Sequence, residues 1–179
     1  MMRPEYIYRS AATAVLVGMA IAAQALPAGP ISAAEVASEI RTTGAKATLA
    51  RLYDTRAWST SISPGIESGS LAWIRVAEQL KAVADGAAAE DIDAALMDSL
   101  ASAPLRVLPE LSRIYGESFE AICDLSFEAA SPKLGVVTYV VGIRKKLGAA
   151  KTVGAKSMAA ACNRGLDESL RHASEQGLL

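Results

Sequence analysis

The chain of 179 residues contains one histidine and only two cysteines. A protein metal site usually draws two or three ligands from His and Cys, or several acids at a fixed spacing. We therefore expect no bound metal and no cofactor. The histidine, His172, falls near the end of a predicted helix, where a solvated cation interacts favourably with the negative end of the helix dipole.

Large aromatic residues are also scarce, with two Phe and two Trp in the whole chain. Alanine is abundant, and it is the strongest helix former. This composition favours helices and predicts an all-α protein. We interpret Trp58, Trp73 and Tyr139 as buried or half-buried packing residues. An aromatic lining for a sugar or peptide groove is the alternative.

The sequence contains neither a complete nucleophile elbow nor a complete phosphate-binding loop. Residues 65–69 place a serine one position too late for a nucleophile elbow, and Ala155 interrupts a possible phosphate-binding loop. Paired carboxylates such as Glu90 and Asp93 are predicted to be solvated, because acid–base catalysis would need one of them to be buried. We therefore expect a protein that is not an enzyme.

Overall charge is nearly absent, since the formal net charge is −1. Total charge therefore indicates neither a nucleic-acid partner nor a membrane partner. The distribution is uneven, however: residues 78–128 contain eleven acids and three bases, whereas residues 133–171 contain eight bases and two acids. Either the two halves fold against each other and largely cancel, or the molecule presents an acidic face to a basic partner.

The amino terminus has the layout of a bacterial secretory signal. Arg3 and Arg9 precede an apolar run over residues 11–23, and small residues at 23 and 25 suit a signal peptidase. We predict a signal peptide over residues 1–25, with cleavage possible as late as 34, and a periplasmic or secreted mature chain. An uncleaved anchor is the alternative, but the run is shorter than the roughly 20 apolar residues of a membrane span.

An exported chain meets an oxidising compartment, where two cysteines can form one internal bridge. Cys123 and Cys162 each fall within the apolar stripe of a predicted helix. We predict a disulfide between them, which would join two packed helices. Two free buried thiols are the alternative.

The mature chain, residues 26–179, is long enough for one domain with its own core. Apolar residues recur at helical spacing along most of it. We expect a single all-α domain of about seven or eight helices, arranged as a bundle or as a short helical-repeat-like stack. The predicted helices cover residues 35–54, with a possible split at Gly44, then 71–84, 87–102, a helix from Pro104, 117–129, 133–148 and 152–174. Because of Pro109, we expect the helix from Pro104 to be short or kinked.

Two further segments need interpretation. A short helix would carry Trp58 and Ile62, and residues 63–65 are predicted to break it. The β-branched run over residues 136–141 suits either a helix or a strand. We favour the helix, largely buried, because no partner strand is evident in the sequence.

The predicted helix over residues 117–129 carries an unusual charge pattern. Its inner face would be Phe119, Ile122, Cys123 and Phe127, and its outer face Glu117, Glu120, Asp124 and Glu128. Like charges three and four residues apart on a helix repel each other. Lysines such as Lys133, Lys145, Lys146 or Lys156 would cover this face within the molecule, or a basic protein partner would cover it from outside. We hypothesise a partner.

Residues 65–111 carry a pattern that resembles one in small exported helical proteins of proteobacteria. It consists of Ile66, Ser68-Gly69, Trp73, Ala84-Asp85, Pro104 and Val107-Leu108, followed downstream by a cysteine pair. The resemblance covers about a third of the mature chain. It implies an all-helical exported domain, and it supplies no activity and no site residues.

These observations predict a non-catalytic periplasmic protein that binds another protein or acts as a structural module. The alternative is an immunity or inhibitor protein that blocks a toxin or a lytic enzyme. Such a protein would have the same export signal and disulfide, together with a polarised surface.

Overall fold

The computed structural model describes residues 30–126, 132 and 135–179, and these form a single all-α domain. No strand occurs among these residues, so the predicted fold class is confirmed. The helices are α1 (Ala33–Thr43), α2 (Ala45–Asp54), a π-helical turn (Trp58–Ile62), α3 (Ser63–Glu67), α4 (Leu71–Lys81), α5 (Gly86–Ser102), α6 (Pro104–Tyr115), α7 (Phe119–Cys123), α8 (Val136–Leu147) and α9 (Val153–Glu175).

The predicted split of the first helix at Gly44 is confirmed. Gly44 ends α1 and begins α2 with a φ of 88°, a backbone conformation that glycine adopts without steric strain. The start of α1 is fixed by a capping box, in which Ser32 accepts from the Glu35 backbone and the Glu35 carboxylate accepts from the Ser32 N–H. These local interactions set both ends of α1.

The predicted break at residues 63–65 is wrong, because these residues begin α3 directly after the π-helical turn. Pro64 lies in the first turn of α3, where a helix tolerates a missing N–H. Gly65 is needed for packing: a Cβ at this position would lie 2.4 Å from the indole ring of Trp73. The glycine therefore marks a close contact between α3 and α4.

The centre of the core is α5, which packs against α3, α4, α6 and α8. Its inward stripe of Ile92, Leu96 and Leu100 is fully buried, as the helical spacing predicts. Each such side chain contributes about 1.5–3 kcal/mol when it leaves water. Around this centre, α1 packs on α2 and α4, while α9 packs on α7, α8 and α6.

Pro109 does not cut α6 short. The helix runs for 12 residues and ends at Gly116, whose φ of 71° gives a left-handed cap. Pro109 lies on the exposed side of α6, opposite the buried Val107, Leu108 and Leu111. The inner face is therefore continuous across the proline.

The run over residues 136–141 is helical, as we favoured, and lies in α8. The expectation that this helix is largely buried is only partly correct. Val136, Tyr139, Val140, Ile143 and Leu147 are buried, but Val137 and Val141 are exposed. No described element packs closely against Gly135 or Gly142, because a Cβ at either position would meet no described atom within 4 Å.

The helix predicted over residues 117–129 is much shorter than expected. Ser118 caps it by accepting from the Ala121 N–H, and α7 ends at Cys123, with Asp124 outside the helical region at φ −83° and ψ 79°. Glu117 therefore precedes the helix and Asp124 follows it, so the predicted outer face is not one helical face. Phe127 and Glu128 lie outside the described residues.

Within the described part of the chain, no helix is long and apolar enough to cross a membrane. The signal peptide predicted over residues 1–25 lies outside the described residues.

Candidate functional site: an acidic cleft

A cleft of about 680 Å³ opens between α5, α6, α7 and the start of α8. We call it the acidic cleft. Its lining comprises Glu90, Asp93, Ala94, Met97, Asp98, Tyr115, Glu117, Ala121, Ile122, Asp124, Leu125, Ser126, Pro132 and Tyr139. Five of these side chains are carboxylates, and none of the described residues that line the cleft is Lys or Arg. The lining is therefore suited to a positively charged ligand.

One side of the cleft is formed by α5. Glu90, Asp93 and Met97 are spaced by three and four residues and so share one face of this helix, and Asp98 directly follows Met97. The adjacent face carries the fully buried Ile92, Leu96 and Leu100. Because that core stripe fixes the rotation of α5, it also directs the carboxylates into the cleft.

Tyr115 and Lys81 hold Asp93 in place. The Tyr115 hydroxyl donates to Asp93 Oδ1 at 2.6 Å, and Lys81 Nζ lies 2.5 Å from the same oxygen. Lys81 Nζ also lies 4.9 Å from the centroid of the Tyr115 ring, within the range of a cation–π contact. Burial, and then the hydrogen bond to Asp93, raise the pKa of Tyr115 well above its ordinary value. The phenol is therefore a neutral donor at any physiological pH.

Tyr139 forms part of the floor of the cleft. Its side chain is buried, and its hydroxyl donates to the backbone oxygen of Met97 at 2.8 Å. Burial raises the pKa of Tyr139 well above its ordinary value, and the charge of Asp98 adds to this. The bond ties α8 to α5 across the base of the cleft.

The opposite wall comes from the end of α7 and the residues after it. We call residues 121–126 the cleft wall; Ala121, Ile122, Asp124, Leu125 and Ser126 line the cleft. Ile122 and Leu125 are buried, whereas Asp124 is exposed with its Oδ1 3.5 Å from His172 Nδ1. The wall therefore combines an apolar base with a polar rim.

The predicted acidic face is divided by this arrangement. Glu117 and Asp124 line the cleft, but Glu120 does not: its carboxylate accepts from Arg164 at 2.7 Å. Lys133 lies outside the described residues. Among the described lysines, none forms an ion pair with these acids, and Lys146 instead donates to the backbone oxygens of Ala101 and Ser102. The structure thus brings two of the predicted acids together with carboxylates of α5.

Pairing within the molecule covers only part of the acidic region. Arg164 pairs with Glu120, and His172 lies beside Asp124. The nearby Arg144 and Arg171 pair instead with acids of α9. Glu90 and Glu117 are exposed and form no ion pair with any described residue. Among the described residues, the charges of Glu90 and Glu117 are therefore not neutralised by an ion pair.

The predicted disulfide between Cys123 and Cys162 is present, with a Cα–Cα distance of 5.1 Å. Both cysteines are fully buried. The bond joins the last residue of α7 to the middle of α9, and so anchors the cleft wall directly before Asp124.

The sequence does not predict that α5 forms part of the cleft, because acids such as Glu90 and Asp93 are expected simply to be solvated. A usable signal exists in the spacing of Glu90, Asp93 and Met97 by three and four residues, with Asp98 directly after Met97. Nothing in the sequence, however, shows that α7 faces this side of α5. The two segments lie about 30 residues apart, and both pack against α6.

The described groups suit cation binding more than metal coordination. No group of three or more His, Cys, Asp or Glu side chains among the residues described could hold a metal ion. An organic cation can instead interact with several spaced carboxylates and with a tyrosine ring.

Comparison of the chain with protein-family models, curated proteins and solved structures gives no match.

Proposed function

We propose that this chain is an exported, non-catalytic helical protein whose acidic cleft receives a basic segment of a partner protein. The observation that supports the proposal is the cleft itself. It combines five carboxylates with two tyrosines, and Lys and Arg are absent from its described lining. Such a lining attracts Lys and Arg side chains and repels acidic ones.

The dimensions of the cleft agree with a peptide ligand. Its volume of about 680 Å³ lies within the range of typical ligand sites, about 300–1,000 Å³. Met97, Ile122 and Leu125 offer apolar surface at its base, which can pack against the methylene groups of a lysine or arginine. The carboxylates then meet the charged end of the side chain.

Export agrees with the covalent structure of the chain. Cysteines in a reducing cytoplasm normally remain thiols, whereas a buried disulfide joins Cys123 and Cys162 here. Together with the predicted signal over residues 1–25 and the resemblance of residues 65–111, this supports a periplasmic or secreted location.

The binding proposal is tested with synthetic peptides of about eight residues and isothermal titration calorimetry. A Lys/Arg-rich peptide should bind the wild-type protein, and a Glu-rich peptide of the same length should not. Binding should weaken as salt rises, because exposed charges are screened. If the two peptides bind equally, or if neither binds, the proposal is wrong.

A double variant locates the site. Glu90→Gln with Glu117→Gln removes two exposed charges at the mouth of the cleft and should weaken binding of the basic peptide by about tenfold. The matched control, Glu168→Gln with Glu175→Gln, removes the same charge from the exposed surface of α9 and should bind as wild type does. Equal loss in both variants would indicate a general charge effect rather than the cleft.

The partner itself is sought by cross-linking the tagged mature protein in periplasm and identifying what is captured. The cleft variant and its control provide the comparison. A partner of the cleft should be captured by wild type and by the α9 control, and should be lost from the Glu90/Glu117 variant.

A further inference from the structure

The helix α7 is too short to hold its own position. It contains five residues, whereas isolated helices shorter than about 12 residues are marginal in water. Its place, and that of the cleft wall after it, must therefore be set by contacts with other elements. Most of these contacts are with α9, and α6 also packs against α7.

Three buried residues of α9 hold α7 and the residues that follow it, each in a different way. Cys162, Gly165 and Ser169 are spaced by three and four residues, so they share one helical face. All three are buried, and none of them lines the acidic cleft. We call them the α9 stripe.

Gly165 allows the two backbones to touch. A Cβ at this position would lie 2.1 Å from the backbone oxygen of Glu120 and 2.8 Å from the backbone nitrogen of Asp124. Because both neighbours are backbone atoms, any side chain would push α7 away from α9. The absence of a side chain therefore sets how closely the cleft wall approaches α9.

Ser169 fixes the wall where α7 ends. Its fully buried hydroxyl accepts from the Leu125 N–H at 2.6 Å and lies 2.9 Å from the Cys123 backbone oxygen and 3.1 Å from that of Gly165. It thus satisfies a buried backbone donor that no longer belongs to a helix. The disulfide between Cys123 and Cys162 anchors the residue directly before Asp124.

We propose that the α9 stripe positions the wall of the acidic cleft, so that ligand binding depends on Gly165 and Ser169 although neither lines the cleft. The inference rests on the proposed function for its effect on affinity, but the positioning itself can be measured without a ligand. Gly165 and Ser169 are positioning residues: they affect the ligand only by holding Asp124, Leu125 and Ser126 in place.

The test uses Ser169→Ala, with Ser157→Ala as the matched control at an exposed position of the same helix. Amide hydrogen exchange followed by mass spectrometry reports on residues 118–126, and calorimetry with the Lys/Arg-rich peptide reports on the cleft. Ser169→Ala should speed exchange in residues 118–126 by tenfold or more and weaken peptide binding by fivefold or more. Ser157→Ala should change neither.

A second control separates positioning from general loss of stability. Leu52 is fully buried in α2, away from the cleft, and Leu52→Ala should lower the thermal midpoint while peptide affinity, measured well below that midpoint, is unchanged. If Ser169→Ala does not fold, Gly165→Ala provides the same two measurements.

The outcomes are distinct. Wild-type exchange of residues 118–126 in Ser169→Ala would overturn the inference, and so would faster exchange with unchanged peptide affinity. If the wild-type protein binds no basic peptide, the proposed function fails, and the hydrogen exchange still decides whether the α9 stripe holds the wall.

Discussion

The two longest helices, α5 and α9, are held in different ways. Apolar side chains hold α5: its fully buried Ile92, Leu96 and Leu100 face several neighbouring helices. On the side that faces α7, α9 uses a covalent bond, a glycine and a buried hydroxyl. The difference follows from the length of the helices that each one packs against, since α7 is much shorter than most of the neighbours of α5. A helix of five residues offers too little apolar surface for burial alone to offset the entropy of ordering it.

This contrast predicts that loss of the covalent or polar contacts of α9 loosens α7 before the rest of the fold, whereas loss of apolar side chains in α5 destabilises the whole domain. The disulfide and the core of α5 test this contrast directly, and smaller effects on stability are expected at the buried hydroxyls and at a surface ion pair.

The largest effect is expected from removing the disulfide. Cys123 and Cys162 are 39 residues apart, and closing a loop of that size stabilises the folded state by about 4 kcal/mol in the chain-entropy treatment. The variant Cys123→Ala with Cys162→Ala should therefore lower the thermal midpoint by roughly 10 °C, measured by calorimetry. Thiol labelling of the unreduced, denatured wild-type protein provides the control, and two labelled cysteines would contradict the bond.

A core truncation in α5 is expected to come next. Leu96 is fully buried, and Leu96→Ala should lower the free energy of unfolding by about 3 kcal/mol, through lost burial and the cavity that remains. Chemical denaturation measures the change. Val153→Ala is the control, because Val153 is 87% exposed; its effect should stay within about 0.5 kcal/mol. A similar loss in both variants would show that α5 is not the centre of the core.

A smaller effect is expected at a buried hydroxyl that makes only local contacts. Thr48 is fully buried, and its hydroxyl donates to the Gly44 backbone oxygen at 3.0 Å in the preceding turn. Thr48→Val keeps the shape of the side chain and should lower the free energy of unfolding by about 1 kcal/mol or less. Ser169→Ala should lower it further, because the Leu125 N–H loses a buried acceptor. The reverse order, measured by chemical denaturation, would argue against a special role for Ser169.

The smallest effect concerns a surface ion pair between α4 and α6. Arg113 donates two hydrogen bonds to Glu78 at 2.7 Å, and these hold the pKa of the Glu78 carboxyl below its ordinary value. A lowered pKa means that the pair stabilises the fold above the ordinary carboxyl pKa. That contribution is lost as pH falls through the lowered value.

Glu78→Gln should therefore reduce stability slightly at neutral pH and leave it unchanged at strongly acid pH. Thermal midpoints measured across the acid range test this, with Asp54→Asn, at the exposed end of α2, as the control. A difference between wild type and Glu78→Gln that grows as pH falls would contradict the assignment.

Much of the helical architecture could be predicted from the sequence because it depends on local spacing. The buried stripe of α5 follows from residues four apart, and the split at Gly44 follows from the backbone freedom of glycine. Where local signals conflicted with distant contacts, prediction failed. Residues 63–65 carry the marks of a turn, yet they begin α3, where Gly65 lies against the Trp73 side chain of α4.

The end of α7 shows the same limit. Apolar spacing extends the helix to residue 129, but the chain leaves the helix after Cys123, where Ser169 binds the backbone of Leu125. That hydroxyl lies 44 residues further along the chain. No periodicity within residues 117–129 could have indicated it.

The sequence by itself determined the all-α class, the position of most helices, and the pair of cysteines that could form the disulfide. These depend on side-chain periodicity and on the small number of possible partners. Only the tertiary structure decided that Glu117 and Asp124 share a cleft with Glu90 and Asp93, while Glu120 turns away to Arg164. The reason is physical. A cleft forms between separate helices, and the distance between two helices depends on contacts between residues far apart in the sequence, such as the contact of Gly165 in α9 with the backbone of α7.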